Sequence, residues 1–194
     1  MSPCLILDRD GVIIEEEHYL GDPGRVRLIP GVAAAIARVN ALGWPVVVAS
    51  NQAGVARGFF SEAKVGEVNR RVAELLSAGG AAVRAWYHCP HHPTEGIGAY
   101  RVECACRKPA PGMLLAAARD LGLNLARGWM VGDKLSDLAA GARAGCRTWL
   151  VRTGYGAGEE AALDAPKTNC AGVADDLPGA IDGILRISST SPGP

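Results

Sequence analysis

The feature that most constrains this chain is a short apolar run, Leu5–Leu7, that ends abruptly in two carboxylates, Asp8 and Asp10. A continuous apolar run is typical of a strand that is buried on both faces of a parallel sheet. Open α/β sheets bind ligands at the carboxyl ends of their strands, so Asp8 is predicted at a binding site. Residues two apart in an extended segment point to the same side, and both carboxylates can therefore share one pocket. Their mutual repulsion favours a hard cation such as Mg²⁺ beside them, whereas a lone motif of this kind is also compatible with a solvated acidic turn.

The length and the net charge of the chain limit which classes of protein it can belong to. The chain has 194 residues, and its 20 Lys and Arg balance 20 Asp and Glu, so the formal net charge is zero. This length predicts a single domain, residues 1–187, followed by a disordered tail at 188–194. The zero net charge argues against nucleic acid and membrane surfaces as partners, and no apolar run approaches the ~18 residues of a membrane span. The chain enters its first strand without a signal peptide, so we expect a cytoplasmic protein that acts as a monomer.

Strand-like and helix-like segments alternate along the rest of the chain. The further predicted strands are Pro45–Ala49, Val83–Tyr87, Trp129–Val131, Thr148–Val151 and Ala171–Val173. This alternation predicts an α/β fold, a doubly wound and mostly parallel sheet with helices on both faces, as in Rossmann-like proteins. No second domain is visible, so the expected cap is small. It would comprise a polar insert at 15–29 and an irregular loop at 88–108.

Polar residues that could bind a metal ion or a phosphate follow the predicted strands. Ser50 follows the second strand, Asp133 follows the fourth, and Lys108 precedes a helix. Because the carboxyl ends of parallel strands lie at one edge, these side chains should converge with Asp8 and Asp10. Carboxylates can hold Mg²⁺, while a hydroxyl, backbone N–H groups and a lysine can bind phosphate oxygens. Together they predict phosphoryl transfer, although each residue alone is equally compatible with a turn, a helix start or a solvated loop.

These residues, in this order, resemble the haloacid dehalogenase superfamily of phosphotransferases. The matching motifs are D-x-D-G, S-N, a lysine before a helix, and G-D-x-x-x-D, which together extend over nearly the whole chain. The resemblance implies that Asp8 attacks phosphorus and forms an aspartyl-phosphate. It implies that Asp10 is the general acid and then the general base. Ser50 and Lys108 would bind the transferring phosphoryl group.

The same resemblance implies a catalytic Mg²⁺ site. Its ligands would be the Asp8 side chain, the Asp10 backbone carbonyl and the Asp133 side chain. Whether Lys134 or Asp137 supports this site stays open at the level of the sequence.

The loop at 88–108 carries a second candidate metal site. A C-x-H pair and a C-x-C pair supply three thiolates and one imidazole, which is a complete tetrahedral set for structural Zn²⁺. The predicted ligands are Cys89, His91, Cys104 and Cys106. An irregular loop of this length needs something to order it, and metal binding does so. His88 and His92 are neighbouring alternatives to His91.

This zinc loop is similar to that of the superfamily's subgroup of heptose bisphosphate and histidinol-phosphate phosphatases. The stretches S-N-Q-A-G-V-A-R-G, C-P-H-H-P and C-x-C-R-K-P-x-P-G-M are most similar to the heptose enzymes. The resemblance implies removal of the 7-phosphate of D-glycero-D-manno-heptose 1,7-bisphosphate, which feeds nucleotide-activated heptose into lipopolysaccharide or other surface glycans. Histidinol phosphate is the alternative substrate. The implied substrate-binding residues are Glu16, Glu17, His18, Tyr19, Ser50, Asn51, Gln52, Ala53, Arg107, Lys108 and Lys134.

Arg107 is the residue that would recognise a second phosphate. A guanidinium next to Lys108 can bind an anion with two parallel hydrogen bonds. The alternative interpretation is that Arg107 is an ordinary surface arginine.

Two other classes of protein are alternatives to an enzyme. A signalling receiver domain also uses acidic residues, Mg²⁺, a hydroxyl and a lysine on a doubly wound sheet. Its phosphate acceptor is an aspartate at the end of a central strand, whereas Ser50 and His88 follow the second and third strands here. An inactive scaffold stabilised by zinc would not need the full set of acidic, hydroxyl and lysine groups.

Overall fold

Six strands form one sheet in the computed structural model, which describes residues 3–190. They are β1 (Leu5–Leu7), β2 (Val46–Asn51), β3 (Ala85–Cys89), β4 (Trp129–Gly132), β5 (Arg147–Val151) and β6 (Cys170–Ala174). Every paired strand runs parallel to its neighbour. The predicted parallel α/β sheet is therefore confirmed.

Helices cover both faces of this sheet. They are α1 (Val32–Ala41), α2 (Ala53–Ala56), α3 (Glu62–Ala78), α4 (Gly112–Leu121), α5 (Leu135–Arg143), α6 (Gly156–Glu159), α7 (Ala165–Thr168) and α8 (Leu177–Thr190). Short 3₁₀ turns occur at Pro23–Arg25, Gly98–Tyr100, Leu125–Arg127 and Glu160–Ala162. The segment between β5 and β6 thus contains only short helical turns, each too short to show a helical period in the sequence.

The core consists of two hydrophobic layers, one on each face of the sheet. Leu5 and Leu7 point into the layer that buries α1, α3 and α8. Ile6 points the other way, into the layer beneath α4 and α5. This alternation along β1 explains the continuous apolar run, because both faces of a central parallel strand are buried.

The strand order is β3-β2-β1-β4-β5-β6, so the chain reverses its direction of winding between β1 and β4. This is the Rossmann-type order, in which ligands bind at the reversal point. A receiver domain instead places its first strand between the second and third. The receiver interpretation is therefore wrong for this chain. Asp8 follows β1 at the reversal point, where its N–H donates to the Val131 carbonyl at 3.0 Å.

The carboxyl-terminal helix is longer than the sequence suggested. The predicted tail begins at residue 188, but α8 continues to Thr190. Ser189 Oγ donates to the Arg186 carbonyl at 2.8 Å, a side-chain bond that serine makes readily within helices. We therefore extend the proposed single domain to Thr190, and residues 191–194 lie outside the described range.

The insert after β1 is tied to the sheet edge by short-range pairing. Ile14 bridges to Asp10 on one side and to Leu28 on the other.

No helix among residues 3–190 is long and apolar enough to span a membrane.

Two helical glycines provide a test of the packing beneath β5. Gly183 of α8 lies against the buried Trp149 indole, and a Cβ there would overlap the ring, whereas a Cβ at Gly66 of α3 would meet open space. Alanine normally stabilises a helix interior by about 1 kcal/mol relative to glycine. We expect Gly66→Ala to raise the free energy of unfolding by about that amount. Gly183→Ala should lower it by about 1–3 kcal/mol, because overpacking outweighs helix propensity. Urea unfolding monitored by circular dichroism measures both, and an equal gain in the two variants would contradict this packing.

Candidate active site

Asp8 lies buried at the carboxyl end of β1, where the chain turns sharply. The turn uses Gly11 at φ +78°, a conformation that residues with a Cβ rarely adopt. Asp8 Oδ1 accepts a hydrogen bond from the Arg9 N–H at 2.8 Å. The same oxygen lies 3.0 Å from the Lys108 ammonium. The predicted meeting of the first strand end with Lys108 is thus present.

The Lys108 ammonium is itself almost fully buried. It lies 2.7 Å from Asp137 Oδ1 and donates to the Ala49 carbonyl of β2 at 2.7 Å. The Asn51 amide accepts from the Lys108 backbone N–H and donates to its carbonyl, both at 3.0 Å. Asn51, predicted to bind substrate, therefore has a second role, because it fixes the backbone that carries Lys108.

Three carboxylates meet next to this ammonium. Oxygens of Asp8, Asp133 and Asp137 all lie within 4.8 Å of one another, and all three residues are buried. Asp133 Oδ2 accepts from the Tyr155 N–H at 2.9 Å, whereas Asp133 Oδ1 is buried and has no hydrogen-bond partner among the described residues. Asp137 Oδ2 accepts from the Lys134 N–H at 3.0 Å and so caps α5. Asp137, which the sequence left as one of two residues that could support the metal site, lies in this carboxylate group.

This arrangement concentrates negative charge in a desolvated place. Burial, with the charges of Asp137 and Asp10 adding to it and Lys108 opposing, raises the pKa of Asp8 to about 6. Burial, followed by the charges of Asp8 and Asp137, raises the pKa of Asp133 to about 8. Burial opposes the charge on Lys108, yet Asp137 and Asp8 outweigh it and raise the pKa of the ammonium. The positive charge of one buried lysine offsets only part of the negative charge of three carboxylates. The unpartnered Asp133 oxygen therefore suits a divalent cation that prefers oxygen ligands.

The Asp10 carboxylate is not one of these three and is held by polar side chains of its own. Gln52 Nε2 donates to Asp10 Oδ2 at 2.8 Å and to Ser50 Oγ at 2.8 Å. Ser50 Oγ lies 3.4 Å from the same Asp10 oxygen. The Arg9 guanidinium binds the Asp10 carboxylate from the other side. Ser50, Gln52 and Asp10 thus form one hydrogen-bonded group.

A cavity of about 430 Å³ opens over these groups. All but one of the substrate-binding residues predicted from the sequence line it, namely Glu16, His18, Tyr19, Ser50, Asn51, Gln52, Ala53, Arg107, Lys108 and Lys134. Glu17 is the exception, because its carboxylate forms an ion pair with Arg25 of the 3₁₀ turn. The insert does not alternate as a strand would, because it bends at His18, whose φ is +58°. We therefore correct the prediction and place Glu17 outside the cavity.

Sequence reasoning missed several residues that line the cavity. Tyr155 holds Asp133 with its N–H, and its hydroxyl lies 2.8 Å from His18 Nδ1. The Lys134 ammonium lies 4.1 Å from the centre of the Tyr155 ring and 4.0 Å from Glu16. Arg57 also lines the cavity and stacks over the Tyr19 ring at 5.2 Å. Arg57 belongs to the quoted S-N-Q-A-G-V-A-R-G stretch, whereas no sequence signal singled out Tyr155.

The predicted cysteine and histidine ligands form one compact group. Cys106 Sγ lies 3.1 Å from Cys89 Sγ and 3.2 Å from Cys104 Sγ, and Cys89 and Cys104 are 3.5 Å apart. His91 Nδ1 lies 3.5 Å from Cys106 Sγ and 3.8 Å from Cys89 Sγ. These separations suit four ligands around one ion that binds thiolate and imidazole.

The choice among the three neighbouring histidines is now clear. His88 Nε2 lies 3.0 Å from Glu62 Oε2 on α3. His92 Nδ1 accepts from the Glu95 N–H at 3.0 Å. Both are engaged elsewhere, so His91 is the imidazole of the group.

The cysteine group lies directly before Arg107 and Lys108 in the chain. Arg107 Nη1 donates to the His91 carbonyl at 3.1 Å, which ties both ends of the loop together. Burial opposes ionisation of Cys104, yet hydrogen bonds from Cys106, the Arg107 N–H and Cys89 lower its pKa to about 7. The thiolate is the form of cysteine that binds metal.

Comparisons with known proteins agree with this geometry. A family model described as HAD-hydrolase-like matches residues 105–180. The D-glycero-beta-D-manno-heptose-1,7-bisphosphate 7-phosphatase of Rhodopseudomonas palustris is 44% identical over 143 residues, covering 74% of this chain and 79% of the relative. The corresponding alpha-heptose enzyme of Burkholderia mallei is 40% identical over 148 residues, covering 76% and 78%.

A solved structure gives the same answer. The crystal structure of D,D-heptose 1,7-bisphosphate phosphatase from Bordetella bronchiseptica, complexed with magnesium and phosphate, superposes with a TM-score of 0.84 at 38% identity. The match covers 95% of this chain and 99% of that one. The chain therefore belongs to the haloacid dehalogenase-like hydrolases, in the family of the D-glycero-D-manno-heptose-1,7-bisphosphate 7-phosphatases.

Proposed function

We propose that this chain hydrolyses the 7-phosphate of D-glycero-D-manno-heptose 1,7-bisphosphate. The observation that carries the proposal is the buried Lys108 ammonium between Asp8 and Asp137, at the floor of a cavity lined by further cations. A carboxylate nucleophile next to a fixed positive charge is what transfer of a phosphoryl group requires. The names of the relatives supply the sugar, and they include both the alpha and the beta anomer.

In the first step, an Asp8 carboxylate oxygen attacks phosphorus. Since Oδ1 is held by the Arg9 N–H and by Lys108, we assign the attack to Oδ2. The bond between phosphorus and the sugar oxygen breaks, and Asp10 gives a proton to that oxygen as it leaves with the electron pair. Lys108 and Ser50 hold phosphoryl oxygens, and the product is an aspartyl-phosphate on Asp8.

In the second step, water attacks the aspartyl-phosphate. Asp10, now a carboxylate, takes a proton from that water. The bond between phosphorus and the Asp8 oxygen breaks, the electron pair returns to Asp8, and inorganic phosphate leaves. The side chains that hold Asp10 in place therefore matter in both steps.

Asp8 and Asp133, with the Asp10 backbone carbonyl, are the residues that would hold Mg²⁺. When bound, this ion neutralises charge on the phosphoryl oxygens and on the carboxylates. Asp137 lies in the same group, but its pairing with Lys108 gives it a positioning role.

The second phosphate of the substrate would lie towards the cavity mouth. Arg107, Arg57 and Lys134 also line the cavity, and each is more exposed than Lys108. Arginine can bind phosphate through two parallel hydrogen bonds, so we assign recognition of this phosphate to Arg107.

We further propose that Cys89, His91, Cys104 and Cys106 hold structural Zn²⁺. A closed set of four soft ligands leaves no position for substrate, so the ion would order the loop. Lys108 and Arg107 begin immediately after the last of these ligands, and the loop's geometry therefore determines their placement.

We also propose that the enzyme acts in the cytoplasm as a monomer, with a small sugar phosphate as its partner and no nucleic acid. The balanced charge of the chain supports the last point. Sedimentation velocity measures the oligomeric state directly.

The substrate assignment is tested by phosphate release with Mg²⁺ from three compounds, compared at equal concentration. We expect heptose 1,7-bisphosphate to be hydrolysed with the highest kcat/KM, heptose 7-phosphate more slowly, and histidinol phosphate slowest. Arg107→Leu should lower kcat/KM for the bisphosphate by about tenfold, since a charge-assisted hydrogen bond is worth about 1.5–3 kcal/mol. The 7-monophosphate, which lacks the second anion, should be nearly unaffected. Preference for histidinol phosphate would overturn the substrate assignment.

The zinc site is tested by metal analysis of Cys104→Ser beside the control Cys170→Ser. Cys170 lies outside the group, where its thiol donates to the Gly172 carbonyl at 3.2 Å. We expect Cys104→Ser to lose zinc, unfold at lower denaturant concentration and lose most of its activity, because the loop that carries Lys108 loosens. Cys170→Ser should keep one zinc per chain. Equal zinc content in both variants would contradict the site.

A further inference from the structure

The Arg9 side chain is the largest that is fully buried among the described residues, and it belongs to neither metal site. It lies between the two carboxylates of the D-x-D motif in sequence, yet its guanidinium reaches Asn69 on α3. Its side chain is 1% exposed. A buried guanidinium is costly unless its charge and its donors are satisfied. Its contacts therefore indicate what it is for.

The guanidinium contacts two groups. Nε and Nη2 donate to Asp10 Oδ1 at 3.3 and 3.1 Å, and Nη2 also lies 3.1 Å from Asp10 Oδ2. Nη1 donates to Asn69 Oδ1 of α3 at 2.8 Å. Asn69 thus fixes the guanidinium from the side opposite to Asp10.

The Asp10 carboxylate is consequently held from both sides. Arg9 binds Oδ1, while Gln52 donates to Oδ2 at 2.8 Å. Every one of these partners is a donor, which suits a carboxylate that is about to accept a proton. A carboxylate with two fixed oxygens cannot rotate freely, and orientation of a base strongly affects its rate.

We propose that Arg9, anchored by Asn69, is a positioning residue that orients Asp10 for the hydrolysis of the aspartyl-phosphate. The inference rests on the proposed function, because it needs Asp10 as the base of the second step. It adds to that function the hydrogen bond between Arg9 and Asn69 of α3, two residues that are 60 positions apart in the chain.

The test uses Asn69→Ala, which removes the anchor without touching a reacting group. Asn69 is half-buried on a helix, and alanine is the better helix former, so the variant should fold. Asn69→Asp keeps an acceptor oxygen in the same place. Arg70→Ala, a change of the exposed neighbour on α3, controls for effects of the helix surface.

The measurement is stopped-flow release of nitrophenolate from p-nitrophenyl phosphate with Mg²⁺. Nitrophenolate leaves without a proton, so the first step does not need Asp10, whereas hydrolysis of the aspartyl-phosphate does. For Asn69→Ala we expect a burst that approaches one nitrophenolate per enzyme, then a steady rate reduced by about tenfold or more. Asn69→Asp and Arg70→Ala should behave like the unchanged enzyme.

The outcomes separate this inference from the function on which it rests. A merely structural role for Asn69 would lower burst amplitude and steady rate together, and that result, or an unchanged steady rate, overturns the positioning role of Arg9 alone. In a parallel assay, the unchanged enzyme must release phosphate from heptose 1,7-bisphosphate and Asp8→Asn must not. Failure of either overturns the proposed function together with this inference.

Discussion

The structure depends most on one buried positive charge, the ammonium of Lys108. Three elements meet at this nitrogen: Asp8 after β1, the Ala49 carbonyl of β2 and Asp137 of α5. An isolated buried ammonium would be strongly unfavourable, and removal of one partner from a buried pair costs about 3–5 kcal/mol. The elements that supply those partners are therefore held together by this one ammonium. The fold thus positions the Lys108 ammonium, and the need to keep that ammonium paired in turn constrains how β1, β2 and α5 meet.

A second set of contacts brings Lys108 to that position. The cysteine group ends at Cys106, two residues before Lys108, and Arg107 bonds back to the His91 carbonyl. The Asn51 side chain of β2 forms hydrogen bonds with both the N–H and the carbonyl of Lys108. An irregular loop has little intrinsic order, so side-chain contacts provide the constraint that backbone hydrogen bonds supply within a helix or strand, and the proposed zinc would add to it.

Much of this could be predicted from the sequence, because the strongest signals are local. Apolar runs that end in Asp8, Ser50 and Asp133 predict both the sheet and the edge where the site lies. The paired cysteines predict their own cluster, since ligand spacing is a constraint within one loop.

What the sequence did not show depends on contacts between distant segments. Tyr155 reaches Asp133 from a loop after β5, and Asn69 reaches Arg9 from α3, and neither spacing follows a motif. Glu17 was predicted in the cavity because of its neighbours in the insert, whereas in the structure its carboxylate pairs with Arg25. The extension of α8 to Thr190 was missed because serine and threonine are weak helix signals that a local hydrogen bond can offset.

The central claim is that Asp8, next to Lys108, becomes covalently phosphorylated during turnover. The most direct measurement is acid quenching within milliseconds of mixing enzyme, Mg²⁺ and substrate labelled at the 7-phosphate, followed by peptide mapping. We predict label on the peptide that contains Asp8, placed on Asp8 itself, and none with Asp8→Asn. Label on Asp10, Asp133 or Asp137, or steady turnover with no labelled protein at any time, would contradict it.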